Sequence, residues 1–170
     1  MPASTSTQSG ARILALTRVV IGVFFLFFAQ YKLASRDFAH TGYAKYVTGF
    51  IQNGALSFYK PFLQKTVEHA VASGYAVAVA ELLIGISLVL GLRVRFFSLV
   101  GALFMLNLVF CTWNAPGPGP AWRYLGNQLD NIPLMCLFLL FIAYRAGETW
   151  GLDGRRKPRS DRIRDAYKQT

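Results

Sequence analysis

Four long apolar stretches, over about 13–33, 75–92, 96–113 and 131–146, fix the solvent in which this chain can fold. A helix needs about 20 mostly apolar residues to cross a bilayer core, and the first three stretches come close to that. The second, YAVAVAELLIGISLVLGL, is apolar around its whole circumference apart from Glu81 and Ser87. A helix without a polar face has no place on the surface of a soluble bundle. The pattern predicts an all-α membrane protein. It is expected to be a four-transmembrane-helix bundle with an amphipathic helical connection on its outer face, between the first and second spans.

Composition agrees with that solvent. Only 15% of the 170 residues are charged, against about 25% in soluble domains. The net charge of +10 would suit nucleic acid if it formed a patch. Here the basic residues flank the spans and gather in the tail, so no nucleic-acid partner is expected. Arg12, Arg93, Arg95, Arg145 and the tail cluster lie on one side. Lys32, Arg36, Lys45, Lys60, Lys65 and Arg123 are spread over longer loops on the other. Cytoplasmic segments close to the spans accumulate Lys and Arg, so both termini read as cytoplasmic in a multi-pass inner-membrane protein. Residues 1–11 read as a flexible N-terminus, 12–150 as the transmembrane domain and 151–170 as a basic tail. The first stretch is too long for a cleavable signal and ends in Gln30-Tyr31-Lys32.

The fourth stretch has the shortest uninterrupted apolar run, Ile132–Tyr144. Asp130 or Asn131 can cap its start and Pro133 suits a first turn; tilt or local thinning would absorb the shortfall. Two connections are longer than turns. In FYKPFLQKTVEHAV, Phe58, Phe62, Leu63, Val67 and Ala70 recur at helical spacing, predicting an interfacial helix or an outward extension of the second span. Tyr43, Tyr46, Val47 and Phe50 show the same pattern more weakly. The prolines and glycines of APGPGPAW, within Asn114–Gln128, predict an irregular ordered lid anchored by Trp113 and Trp122.

Ionisable groups at membrane depth are costly, face the bundle interior and find partners. Glu81 lies as far from Leu92 as Asn107 lies from Phe96, so both sit roughly 16 Å from the cytoplasmic edge at about 1.5 Å per residue. A hydrogen bond between them on consecutive antiparallel helices is expected. Gly74, Ala78 and Gly85 share the Glu81 face and admit a close neighbour; Cys111 and Asn114 continue the Asn107 face. Arg18 is shallower, about 8 Å deep. It either reaches back to headgroups along its stem or pairs with Glu81; without that pairing, desolvation would keep Glu81 protonated. The Glu81–Asn107 pair serves either as a register device or as a proton-handling group for a lipophilic substrate such as a quinone.

Catalytic residues cannot be assigned. No histidine occurs within a span, which excludes a bis-His haem in this bundle. His40 and His69 are separated and solvated, and no metal site is expected. Cys111 and Cys136 lack a redox or metal spacing and read as buried thiols.

The chain resembles the DoxX/DoxD family of small four-helix membrane proteins of bacteria and archaea. RVVIGVFFLFFAQYKLAS in the first span and AELLIGISLVLGLRVRFFSLVGALFMLNL across the next two carry the likeness. Its most telling part is the E-x-x-x-G-x-x-L-x-x-G-x-x-x-R arrangement of Glu81, Gly85, Leu88, Gly91 and Arg95; GETWGLDG, with Gly151 and Asp153, resembles the family's ending, and FYKPFLQKTVEH its outer loop. The likeness spans roughly residues 12–154, with a departure at Ala29-Gln30, where a glycine is expected. The resemblance implies a membrane-embedded redox association. DoxD is the membrane subunit of a thiosulfate:quinone oxidoreductase, and DoxX relatives join membrane complexes that handle oxidative stress and thiols. The expectation is an accessory subunit of an electron-transfer or quinone-linked complex, with no covalently bound cofactor and quinone as a compatible ligand. Its partners are the bilayer and other membrane-complex subunits. The alternative is a structural or assembly subunit, in a respiratory or photosynthetic complex, with no substrate of its own.

Overall fold

A computed structural model describes residues 3–114 and 120–155. Most of the basic tail, and the proline-rich core of the lid, lie outside them. Among the described residues all regular structure is helical: α1 (Ala3–Ala34), a π-helical turn (Phe38–Gly42), α2 (Tyr43–Asn53), α3 (Lys60–Glu68), α4 (Ala70–Leu90), α5 (Val94–Thr112), α6 (Ala121–Asn127), α7 (Asn131–Ala143) and the short α8 (Leu152–Arg155). Three segments are long and apolar enough to cross a membrane: Gln8–Ala34, Ala70–Leu90 and Val94–Thr112. These helices place the protein in a lipid bilayer. The expected fourth span is the 13-residue α7, about 20 Å long at 1.5 Å per residue against a core of about 30 Å.

Glycines set how closely the helices pack. α1 and α4 run antiparallel, with Gly22 against Leu88 and Val89, and Gly85 against Leu26. A Cβ on Gly85 would come within 2.8 Å of Leu26. α5 meets α7 where the Phe138 ring fills the space over Gly101; a Cβ there would lie 2.5 Å from the ring. Phe138 also packs edge-on against Phe25 of α1, with ring centroids 5.6 Å apart. A core of Ile21, Phe25, Ile84, Leu88, Met105 and Phe138 results.

α2 and α3 form a cap over the end of the bundle remote from the α4–α5 turn. Val47, Ala55 and Leu63 make a second, smaller core with Cys111 of α5. Backbone bonds fasten the cap to α5, from Leu56 N to Phe110 O at 3.0 Å and from Asn114 N to Gly54 O at 2.7 Å. The two amphipathic patterns read from the sequence are therefore separate helices. α3 is divided from α4 at His69, whose φ of −115° and ψ of 40° leave the helical region, so it is not a straight extension of the second span. The connection before α7 also contains a helix, α6, where only irregular chain was expected; its turn lies beyond the last proline of that segment.

Of the two expected caps, Asp130 or Asn131, Asp130 holds the N-cap position without a side-chain capping bond, and Asn131 is already the first helical residue. Instead Gln128, buried despite its polarity, donates to Thr112 Oγ1 at 3.0 Å, and Asn131 Nδ2 donates to Gln128 Oε1 at 3.2 Å. This amide cluster joins α5 to the start of α7. Cys111 is buried as expected, but Cys136 is exposed.

Candidate functional site: a capped cavity and a buried ion pair

A half-open cavity of about 460 Å³ lies between the cap, α4 and α5. Its walls are mainly apolar and aromatic, with Tyr46 and Phe50 from α2, Phe62 and Leu63 from α3, Val77 from α4 and Leu108 from α5. Ligand sites are typically such apolar concavities, of about 300–1,000 Å³, with a few convergent polar groups. Here those groups are Lys32, Glu81, Asn107 and Cys111.

Glu81 and Asn107 therefore face one space, but the bond expected between them is not made. Glu81 Oε1 accepts from Lys32 Nζ at 2.5 Å. Asn107 Oδ1 accepts from the Tyr59 hydroxyl at 2.7 Å, with the Cys111 thiol 3.9 Å away. The reason is rotational. The small-residue face of α4 that carries Glu81 is filled by α1 at Gly85 and by the π-helical turn and α2 at Gly74, where Ala39 and Tyr43 pack. Glu81 is thereby turned toward α1 rather than α5. Both residues line the one cavity, but depth alone does not give azimuth.

Lys32 is the partner of Glu81 that sequence reasoning missed, because its place at the end of the first span reads as an interfacial anchor. The register of α1 on α4 contained the signal: Gly22 opposes Leu88 and Leu26 opposes Gly85, so the next turn of α1 is level with Glu81, and Lys32, just beyond it, reaches back along its own stem. Phe38 holds the ammonium from the other side, 5.0 Å from its ring centroid, a cation–π distance. Glu81 is 5% exposed, and its Oε2 is buried without a hydrogen-bond partner. Tyr59, outside the spans, packs against Phe62 and Phe110 at centroid distances of 5.1 and 5.3 Å. Burial first, then Cys111 and Tyr43, push its hydroxyl above the ordinary phenol range, so it remains a donor to Asn107.

Arg18 takes neither expected course. It is fully buried at the opposite end of the bundle and donates through Nη1 to Ala146 O at 2.7 Å and to Thr149 O at 3.4 Å. It cannot reach headgroups because the chain after α7 folds back across it. Asp153, whose charge acts on Arg18, accepts from the backbone N–H of Arg93 at 2.7 Å and of Val94 at 2.9 Å, capping α5. Asp153 N in turn donates to Gly91 O at 2.9 Å. Gly91 ends α4 with a left-handed φ of 66°, as a helix-terminating glycine does. A Cβ at Gly91 or Gly151 would lie 2.8 or 2.9 Å from Arg18 Nη1. Gly91, Gly151, Asp153 and Arg18 thus form one clasp, and residues 151–155 belong to the bundle rather than to the tail. Gly85 serves the α1–α4 contact, and Arg95 is exposed at the start of α5.

The sequence model of the DoxX family matches residues 13–113, well over half the chain. The protein belongs to the DoxX family. The match takes in α1, the cap, α4 and α5, and with them every wall of the cavity; α7 and the clasp segment lie beyond it. No curated relative and no solved structure matches the chain. Membership and the apolar helices establish a DoxX-family membrane protein.

Proposed function

We propose that this DoxX protein is an accessory subunit of a quinone-linked electron-transfer assembly, and that the cavity beneath α2 and α3 receives the quinone. The observation that carries this reading is the cavity's make-up: apolar and aromatic walls around a buried Lys32–Glu81 ion pair. Buried ionisable groups within a membrane are costly and mark functional sites. Apolar walls suit a lipophilic ring and tail, while Lys32, Glu81 and Asn107 supply the hydrogen bonds a redox-active oxygen needs. Electrons would come from a partner subunit, since no span carries a haem-ligating histidine.

In this reading α7 is the fourth span, its shortfall absorbed by local thinning or tilt. The charge asymmetry supports an orientation with the clasp and both termini in the cytoplasm and the cap on the outer face of the inner membrane. A second reading, a purely assembling subunit, is favoured by one observation. α1 exposes Phe24, Phe27, Phe28 and Tyr31 on one side, aromatic area that a neighbouring subunit could cover.

Purification from the native membrane in mild detergent, with mass spectrometry of the co-eluting chains and lipids, separates the two. Redox-active partner chains together with near-stoichiometric quinone support the first. Partner chains without quinone favour the second. A chain that purifies alone and quinone-free contradicts both.

A further inference from the structure

Within the cavity reading above, we infer that the site selects the reduced, hydroxyl-bearing form of its ligand: a neutral lipophilic hydroquinone in preference to the matching quinone. The unsatisfied atom decides the polarity. Glu81 lines the cavity; Lys32 occupies its Oε1, and its Oε2 is left buried without a partner. A carboxylate oxygen only accepts, so the ligand group that satisfies it must be a donor. A hydroquinone hydroxyl is such a donor, and a quinone carbonyl is not. The terminal torsion of a Glu side chain is broad and roughly twofold, so a small rotation presents that oxygen to the cavity.

The rest of the pocket fixes charge and orientation. Lys32 already balances Glu81, and an added fatty-acid carboxylate would leave one excess charge in a medium that stabilises it poorly. The ligand is therefore neutral. On α5, Tyr59 and Cys111 both address Oδ1 of Asn107, which leaves Nδ2 as a donor toward the oxygen at the far end of the ring. One end of the ligand donates to α4 and the other accepts from α5.

The test uses the full-length protein in nanodiscs freed of native quinone. Binding is measured for a short-tailed hydroquinone kept reduced, its quinone and its dimethyl ether, with a fatty acid of similar length as control. The hydroquinone is expected to bind about tenfold or more tightly than the other two ring compounds, the ratio one hydrogen bond to a charged group supplies. In the Lys32→Met/Glu81→Leu protein, which is neutral at the same place, the preference is expected to collapse to within about threefold. Equal affinity of hydroquinone and quinone for the unsubstituted protein overturns the inference and leaves the proposed site standing. Failure of all three ring compounds to bind overturns the site itself. Tighter binding of the fatty acid overturns the neutrality argument.

Discussion

Replacing Lys32 by methionine should strand the Glu81 carboxylate. The pair is well removed from solvent, with side-chain exposures of 18% for Lys32 and 6% for Glu81, so the energetics of a buried pair apply. Removing one partner of such a pair costs about 3–5 kcal/mol, whereas replacing both by apolar groups of similar size is near neutral. Because Lys32 keeps some exposure, the lower end applies, and Lys32→Met should cost about 3 kcal/mol. Glu81→Leu should cost less, about 1–2 kcal/mol, since the freed lysine can swing its ammonium toward the interface while a freed Glu81 cannot. The double replacement should fall within about 1 kcal/mol of the parent, giving a coupling of about 3–5 kcal/mol. Unfolding by SDS in mixed micelles, followed by tryptophan fluorescence, measures all four proteins on one scale. Singles that simply add up in the double, or a Lys32→Met cost below about 1 kcal/mol, would refute the buried-pair reasoning.

Asp153→Ala removes two bonds to the start of α5 and the countercharge facing Arg18; a loss of about 1–2 kcal/mol in the same assay is expected, with Asp153→Asn milder. Gly101→Ala forces a Cβ into the Phe138 ring and should cost about 1–3 kcal/mol, most of it recovered by adding Phe138→Leu; a neutral single substitution would contradict the close approach of α5 and α7. Of the two native thiols, exposed Cys136 should react with a membrane-permeant maleimide well before buried Cys111, as read by peptide mass spectrometry. A cysteine placed at Ser160 should be labelled by an impermeant reagent only from the cytoplasmic side; labelling from outside reverses the proposed orientation.

The three long helices were legible because a bilayer leaves a helix little alternative to being apolar all round. The register of α1 on α4 was half legible: Gly85 announced a close neighbour without saying which helix filled the space. The Glu81–Asn107 expectation failed at that point, since equal depth places two residues on one plane and only packing decides which faces meet. Arg18 misled for a related reason. Its shallow position suggests escape to headgroups, and nothing in its own span reveals that residues 146–153, far along the chain, close over it. The capping role of Asp153 is equally non-local. The cap helices showed in their apolar spacing, but the cavity they border depends on how α2 and α3 rest on α5, which no single-helix pattern contains.

Photolabelling locates the ligand most directly. A photoreactive quinone, irradiated with the protein in native membranes and mapped by peptide mass spectrometry, should mark the cavity segments around Phe50, Val77 and Leu108, and excess unlabelled quinone should suppress the marks. Labelling confined to the lipid-facing stripe of Phe24, Phe27 and Phe28, indifferent to competitor, would contradict the account.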